Sequence, residues 1–344
     1  MSSPLVSAII PVYNAADTVG SAIESVRRQT YDNLEIVVVN DGSTDDTARV
    51  IHEGYPEVIY YEQENSGPSI ARNRAAEIAS GEFLACLDSD DQWHPEKTKR
   101  QLRIMLDDPT IGAVATNGWV HAGAYRYPWA CPRKPRIMEL TVRALLNGLR
   151  PISPSFMVRA EVFHAAGGYD PGIVFGEDLD LFCRVLGTGS PLTPNRFVFL
   201  NELLYIYASS PTSISAASFA DLADDAVRVL EKLAPGAADA PGALTPAEHR
   251  WFMGERLTRA MAACIGQGRQ EQAGKYLRRL EALVPLPLIY RLHRRAARLS
   301  PAVLRAAVAL HQAYLRVGRL YRSWGILGGA QQAWRKYLHR IPIP

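Results

Sequence analysis

No aspartate or glutamate occurs from Ala282 to Pro344, although that stretch carries eleven lysines and arginines. Against a net charge of +3 for the whole chain, the remaining residues stand at −8, so acidic and basic chemistry are segregated. Cysteine is also sparse. Cys86, Cys131, Cys183 and Cys264 show neither metal-ligand nor redox spacing, which excludes a zinc ribbon or a disulfide scaffold and reads as reduced core thiols of a cytosolic protein. No apolar run reaches the roughly 18 residues of a membrane-spanning helix, and the uncharged stretch 203–220 is broken by Ser, Thr and Pro. No basic segment precedes the first apolar stretch, which stops at Pro11, so no signal peptide is expected.

Glycine is missing where a dinucleotide-binding fold needs it. The first glycine is Gly20, already inside a helix rather than directly after the first strand. No Gly-x-Ser-x-Gly elbow is present, which removes the serine-hydrolase reading. An EF-hand would require a glycine soon after Asp90, where the chain has Gln92-Trp93-His94-Pro95.

What is present is an alternation of strand and helix. At 47% hydrophobic and 21% charged residues over 344 positions, the chain can bury a core, and its length suggests two domains. Leu5–Val12 and Leu34–Asn40 are near-continuous apolar runs, the pattern of strands buried on both faces. Asp17 is expected to cap a helix with Val19, Ala22, Ile23 and Val26 at helical spacing. Val58–Tyr61, Phe83–Leu87 and Ile111–Thr116 read as further strands, with helices after Asp45, Pro68 and Pro95. The fold class is therefore α/β with a mostly parallel sheet. Beyond it, Asn117–Arg136 reads as a loop-rich substrate region, and Ile137–Gly148, Ala160–Ala166 and Phe175–Leu186 as helices. Ser155–Val158 and Phe197–Tyr207 read as β segments. An Ala/Gly/Pro-rich linker at 235–246 and helical patterns after it divide the chain into residues 1–225 and 226–344.

The densest chemical signal is Asp88-Ser89-Asp90-Asp91, which closes the fourth strand. Three carboxylates in four residues repel one another at the end of a buried strand and call for a cation or ligand donors. Hard oxygen ligands of this kind suit Mg2+ or Mn2+, with substrate phosphates completing the shell. The carboxyl ends of strands in an open α/β sheet are also where ligands bind.

Five segments together resemble inverting family 2 glycosyltransferases of the GT-A fold. They are Ile9-Ile10-Pro11-Val12-Tyr13-Asn14, the run Val37–Asp45, Ser66-Gly67-Pro68-Ser69-Ile70-Ala71-Arg72-Asn73, Leu87-Asp88-Ser89-Asp90-Asp91-Gln92-Trp93, and Gly176-Glu177-Asp178-Leu179-Asp180-Leu181. The likeness spans residues 4–215; nothing in 245–344 belongs to it. It implies a metal-dependent transferase using a nucleotide diphospho-sugar, UDP-linked, and a glycan or lipid-linked acceptor. By the same resemblance, Pro11 and Tyr13 flank the base, with the Tyr13 ring as a stacking surface, and Asp41 accepts from the base. Arg72 reaches the base or diphosphate. Asp90 and Asp91 serve ribose and metal (Mn2+ or Mg2+), with Asp88 beside them. Asp178 stands where the family has its general base, and Glu177 orients it or meets the acceptor. Asp180 and Arg184 form a supporting network. A second reading keeps the nucleotide-sugar site but not the turnover, as a catalytically silent scaffold. One departure is visible: where many relatives carry Tyr-Arg-x-x-x-His, this chain has Tyr205-Ile206-Tyr207-Ala208-Ser209-Ser210, without the basic residues.

The basic C-terminal stretch has its own pattern. Ser300 and Pro301 are expected to open an amphipathic helix with Leu304, Val308, Tyr314 and Leu315 on one side and Arg305, Arg316 and Arg319 on another. Such a helix suits the anionic inner face of the cytoplasmic membrane, with residues 285–344 as the contact. A helical lid or an oligomer interface is the other use of such a face. Tyr314, Tyr321, Trp324, Trp334 and Tyr337 interleave with arginine, but no nucleic-acid-binding motif accompanies them, so nucleic acid is not an expected partner.

Overall fold

The computed structural model describes residues 3–122, 125–130, 135–149, 151–187, 196–208, 219–233 and 244–283. Two compact units divide the chain, residues 1–130 with 135–253, and residues 131–134 with 254–344.

The first unit is built on one sheet. In chain order its elements are β1 (Val6–Val12), α1 (Val19–Arg27), β2 (Leu34–Asn40), α2 (Thr47–Gly54), β3 (Ile59–Glu62), α3 (Pro68–Ile78), β4 (Phe83–Cys86), β5 (Gln92–Trp93), α4 (Lys97–Asp107), β6 (Ile111–Ala122), β7 (Tyr125–Pro128), β8 (Ile137–Glu139), α5 (Val142–Leu146), β9 (Phe156–Arg159), α6 (Ala160–Ala165), α7 (Glu177–Gly187), β10 (Arg196–Ala208) and α8 (Phe219–Lys232). The order across the sheet is β3-β2-β1-β4-β9-β6-β10-β5, with β7 on β6 and β8 on β10. β3, β2, β1 and β4 are mutually parallel, and β10 is parallel to β6, while β9 runs antiparallel to both β4 and β6. The sheet is thus mixed. β1, β2, β4, β6 and β10 still all end on one rim, and the reversed β9 begins there.

All seven residues of β1 are buried, as expected of a strand covered on both faces. The apolar stripe Val19, Ala22, Ile23 and Val26 of α1 packs into the same core as Val38, Leu87, Trp93 and Tyr205. α1 begins without the expected Asp17 cap. Its N-cap is Thr18, which makes no side-chain cap bond, and the entry loop is held instead by Asp45 of the β2–α2 loop and Thr47, the first residue of α2. Thr47 Oγ1 accepts from Ala15 N at 2.8 Å, and Asp45 Oδ2 from Ala16 N at 3.1 Å.

Two further expectations fail in the second half of the sheet. The supposed loop region from Asn117 is strand as far as Ala122 and then the β6–β7 hairpin. Gly118, which reads as a breaker, is a close approach: a Cβ there would lie 2.5 Å from the Tyr205 ring. Ile137–Gly148 is not one helix. Its start pairs with β10 as the short edge strand β8, and Thr141 then caps α5, accepting from Ala144 N at 3.1 Å.

Among the described residues of the second unit, α9 (Pro246–Gly266, which begins in the first unit) continues to α10 (Gln270–Ala282), with Leu257, Met261, Cys264, Tyr276 and Leu280 buried. No helix among the described residues is long and apolar enough to cross a membrane. Cys86, Cys183 and Cys264 are buried and form no disulfide. The basic stretch 285–344 lies outside the described residues, as do Cys131, the linker residues 234–243 and residues 209–218 that follow the departing Tyr205–Ala208 segment.

Candidate active site

The rim gathers the sequence-derived residues in a defined way. β1 leads into Tyr13, which is exposed, and Asn14, whose left-handed φ of 48° turns the chain away from the sheet. Pro11 lies within β1, opposite Val39 of β2, and is buried. Asp41, one residue past β2, is also buried. Its Oδ1 accepts from Ser66 N at 2.9 Å and Gln63 Nε2 at 2.7 Å, and its Oδ2 from Gly67 N at 2.8 Å. Asp41 therefore fastens the loop that launches α3. A carboxylate oxygen has further lone pairs, so this anchoring is compatible with contact to a ligand N–H.

α3 carries Arg72 into the centre of the site. Arg72 is 6% exposed; its Nη2 lies 2.7 Å from Asp88 Oδ1 and its Nη1 3.3 Å from Glu177 Oε1. Burial works against its charge, but Asp88 and then Glu177 more than offset this and hold the guanidinium firmly protonated. Arg72 thus bridges the end of β4 to the start of α7. Its expected reach to a base or diphosphate begins from this bridged position.

The acidic cluster is graded in burial. Asp88, ion-paired with Arg72, keeps about a quarter of its side chain exposed. Asp90 is partly buried, and burial together with Asp88 raises its pKa. Asp91 is 1% exposed. Its Oδ1 accepts from Ala208 N at 2.8 Å, and its Oδ2 has no partner among the described residues. Burial, then Asp88 and Asp90, push its pKa well above the carboxylate range. A buried carboxylate with one orphaned oxygen beside a second carboxylate is the donor set that a hard divalent cation completes. Among the described residues no three His, Cys, Asp or Glu side chains converge on one point, so such a cation would take two carboxylates here and the rest of its shell from substrate and water.

Glu177 and Asp178 open α7, where carboxylates favour the positive end of the helix dipole. The two are treated differently. Glu177 pairs with Arg72, whereas Asp178 has no ion-pair partner among the described residues. Ser153 donates to it twice, from N–H to Oδ2 at 3.2 Å and from its hydroxyl to Oδ1. Burial and Glu177 raise the Asp178 pKa to about 7, against the pull of Arg72 and Ser153. Asp180 and Arg184 do form a network: Arg184 Nε donates to Asp180 Oδ2 at 2.8 Å, and Lys232 of α8 reaches Asp180 Oδ1 at 3.1 Å.

Ser153 and Tyr169 were not legible as site residues. Ser153 reaches the rim because β9 runs backwards and enters there. Trp93 strengthens that placement, its Nε1 donating to Pro154 O at 2.9 Å. No spacing signal in the sequence marks either contact.

Residues 7–166 match the family model Glycosyl transferase family 2. That match spans a little under half of the chain, and the mixed sheet with its flanking helices is similar to the GT-A fold that the motifs suggested. Chondroitin synthase from Pasteurella multocida (strain Pm70) is 32% identical over 212 residues, which cover 59% of this chain and 20% of that protein. The chain therefore spans about a fifth of the length of this curated relative. Among solved structures, S. aureus TarS 1-349 in complex with UDP-GlcNAc is similar in fold with a TM-score of 0.68 at 18% identity, covering 90% of this chain and 92% of that one. The mannosyltransferase PcManGT from Pyrobaculum calidifontis, in complex with GDP-Man and Mn2+, gives a TM-score of 0.54 at 21% identity over 94% of this chain and 88% of that one.

Proposed function

We propose that the chain is a metal-dependent inverting glycosyltransferase that moves a sugar from a UDP-linked donor to a hydroxyl of a glycan or lipid-linked acceptor, with Asp178 as general base. The observation that carries this reading is the contrast between adjacent carboxylates. Burial raises both carboxyl groups, but Glu177 forms an ion pair with Arg72, while Asp178, among the described residues, accepts only from Ser153 and is raised to about 7. Environments that push neighbouring carboxyl groups apart mark acid–base assignments.

In the proposed step the acceptor O–H bond breaks and its proton passes to Asp178. The acceptor oxygen bonds the anomeric carbon as the bond to the diphosphate breaks on the opposite face, the nucleotide leaving with that electron pair. Tyr13 offers a ring to the base and Asp41 an acceptor, while Asp88 and Arg72 form the floor on the ribose and diphosphate side. Asp90 and Asp91 would hold Mn2+ or Mg2+, which when bound offsets the charge that builds on the diphosphate. The nucleotide-sugar complexes of TarS and PcManGT, the latter with Mn2+, support donor class and metal. Thermal melting with a panel of nucleotide sugars, with and without Mn2+, tests the reading. A true donor at a hundredfold excess over its Kd adds about 2.7 kcal/mol to stability, so a UDP-sugar should raise the melting temperature while a GDP-sugar should not. No shift with any nucleotide sugar would overturn it.

The basic composition of residues 285–344 supports a further contact, with an anionic membrane surface. Each Lys or Arg near such a surface contributes about 1 kcal/mol. Co-sedimentation with anionic liposomes should weaken at high salt and vanish on deleting 285–344. Equal pelleting of truncated and full-length protein would rule the stretch out as the anchor.

A further inference from the structure

Asn73 stands beside Arg72 on α3 and has no part in the mechanism above. Its side-chain amide takes both backbone polar groups of Tyr169: Nδ2 donates to the carbonyl at 2.7 Å, and Oδ1 accepts from the N–H at 2.8 Å. This two-point clamp depends on Gly168, whose φ is +65° and where a Cβ would lie 2.5 Å from Asn73 Oδ1. The clamp holds the Tyr169 ring in the interior, 1% exposed, with the Arg72 guanidinium 5.2 Å from its centroid. The Tyr169 hydroxyl lies 2.8 Å from Ser153 Oγ and 3.5 Å from Cys86 Sγ. Proton counting sets the direction of these bonds. Ser153 places its only hydroxyl proton on Asp178, so Tyr169 donates to Ser153 Oγ and the Cys86 thiol donates to Tyr169.

We infer that Ser153 and Tyr169, held in register by Asn73, are positioning residues that orient the Asp178 carboxylate and stabilise its ionised form. The inference rests on the reading of Asp178 as the base. Around that carboxylate stand Glu177 on its own helix, Arg72 on α3, Cys86 and Asp88 at the end of β4, Tyr205 on β10 and Tyr169 itself. Glu177 and burial oppose the charge, and Arg72 and the two Ser153 donors favour it. Removing the Ser153 hydroxyl withdraws a donor from the ionised form and leaves the Tyr169 hydroxyl without its acceptor.

The test is the pH dependence of kcat at saturating donor for the unaltered protein, Ser153→Ala, Tyr169→Phe and Asp178→Asn, with UDP affinity and melting temperature measured alongside. Ser153→Ala should move the acidic limb up by about one pH unit and so lower kcat below neutrality roughly tenfold. The donor KM should stay nearly constant. Tyr169→Phe, isosteric and so a safeguard against misfolding of the first variant, should move the limb in the same direction by less. An unmoved limb in both variants, with Asp178→Asn inactive, overturns the positioning role while leaving the base in place. Turnover retained by Asp178→Asn overturns the base and this inference with it.

Discussion

Asp178→Asn should lower kcat by roughly 10²–10⁴ while donor affinity stays nearly unchanged. Asparagine keeps the size of the side chain and an oxygen that accepts from the Ser153 hydroxyl, so the rim should hold its shape. What it cannot do is take the acceptor's proton. Because the Asp178 pKa is raised to about 7, the unaltered enzyme should gain rate as pH rises through neutrality, where the carboxyl becomes a carboxylate able to accept. The residual rate of Asp178→Asn should lack that limb. Glu177→Gln gives a useful contrast. Glu177 is one of two carboxylates on Arg72, so its loss should weaken the bridge to Asp88 and raise the donor KM as well as lowering kcat. An Asp178→Asn protein that loses donor binding but turns over normally at saturation would make Asp178 a binding residue.

The parallel half of the sheet was readable because β1 and β4 are buried along their whole length, and β2 over its last four residues, which makes these runs near-continuously apolar. β2 has the expected bounds, Leu34–Asn40. Strand ends then place Tyr13, Asp41 and the acidic cluster on one rim by topology alone. The antiparallel half was less legible for a physical reason. Gly118 serves a ring contact inside a strand, although glycine in a single sequence signals a turn. Ile137–Glu139 is a three-residue edge strand, too short to show a period of two. Site residues followed the same division. Arg72, Asp88 and Glu177 meet in the structure, a contact that their separate motifs do not state. Asn73 sits inside a recognised motif, yet nothing in the sequence says that its amide clamps Tyr169, since that contact spans 96 residues and depends on the left-handed turn at Gly168. Asp17 failed as a cap because Asp45 and Thr47, at the start of α2, hold the entry to α1 in its place.

Chelation should abolish transfer, Mn2+ or Mg2+ should restore it, and Asp91→Asn should remove it beyond rescue without unfolding the protein. Asp91 is 1% exposed, and among the described residues only one of its oxygens has a partner, the Ala208 N–H at 2.8 Å. Holding a third carboxylate charge beside Asp90 and Asp88 in that setting costs free energy in the metal-free protein. The amide oxygen of asparagine can still accept from Ala208 while the charge is gone, so the metal-free variant should melt at the same temperature as the unaltered protein or higher. In the unaltered protein, Mn2+ should raise the melting temperature by mass action, since a cation that binds only the folded state stabilises it. In Asp91→Asn that rise should shrink or disappear. The paired measurement separates a metal ligand from a buried structural carboxylate, whose replacement would leave the Mn2+ response intact. Full activity in the presence of chelator, or an unchanged Mn2+ shift in Asp91→Asn, would remove the cation from this site and leave Arg72 as the charge facing the departing diphosphate.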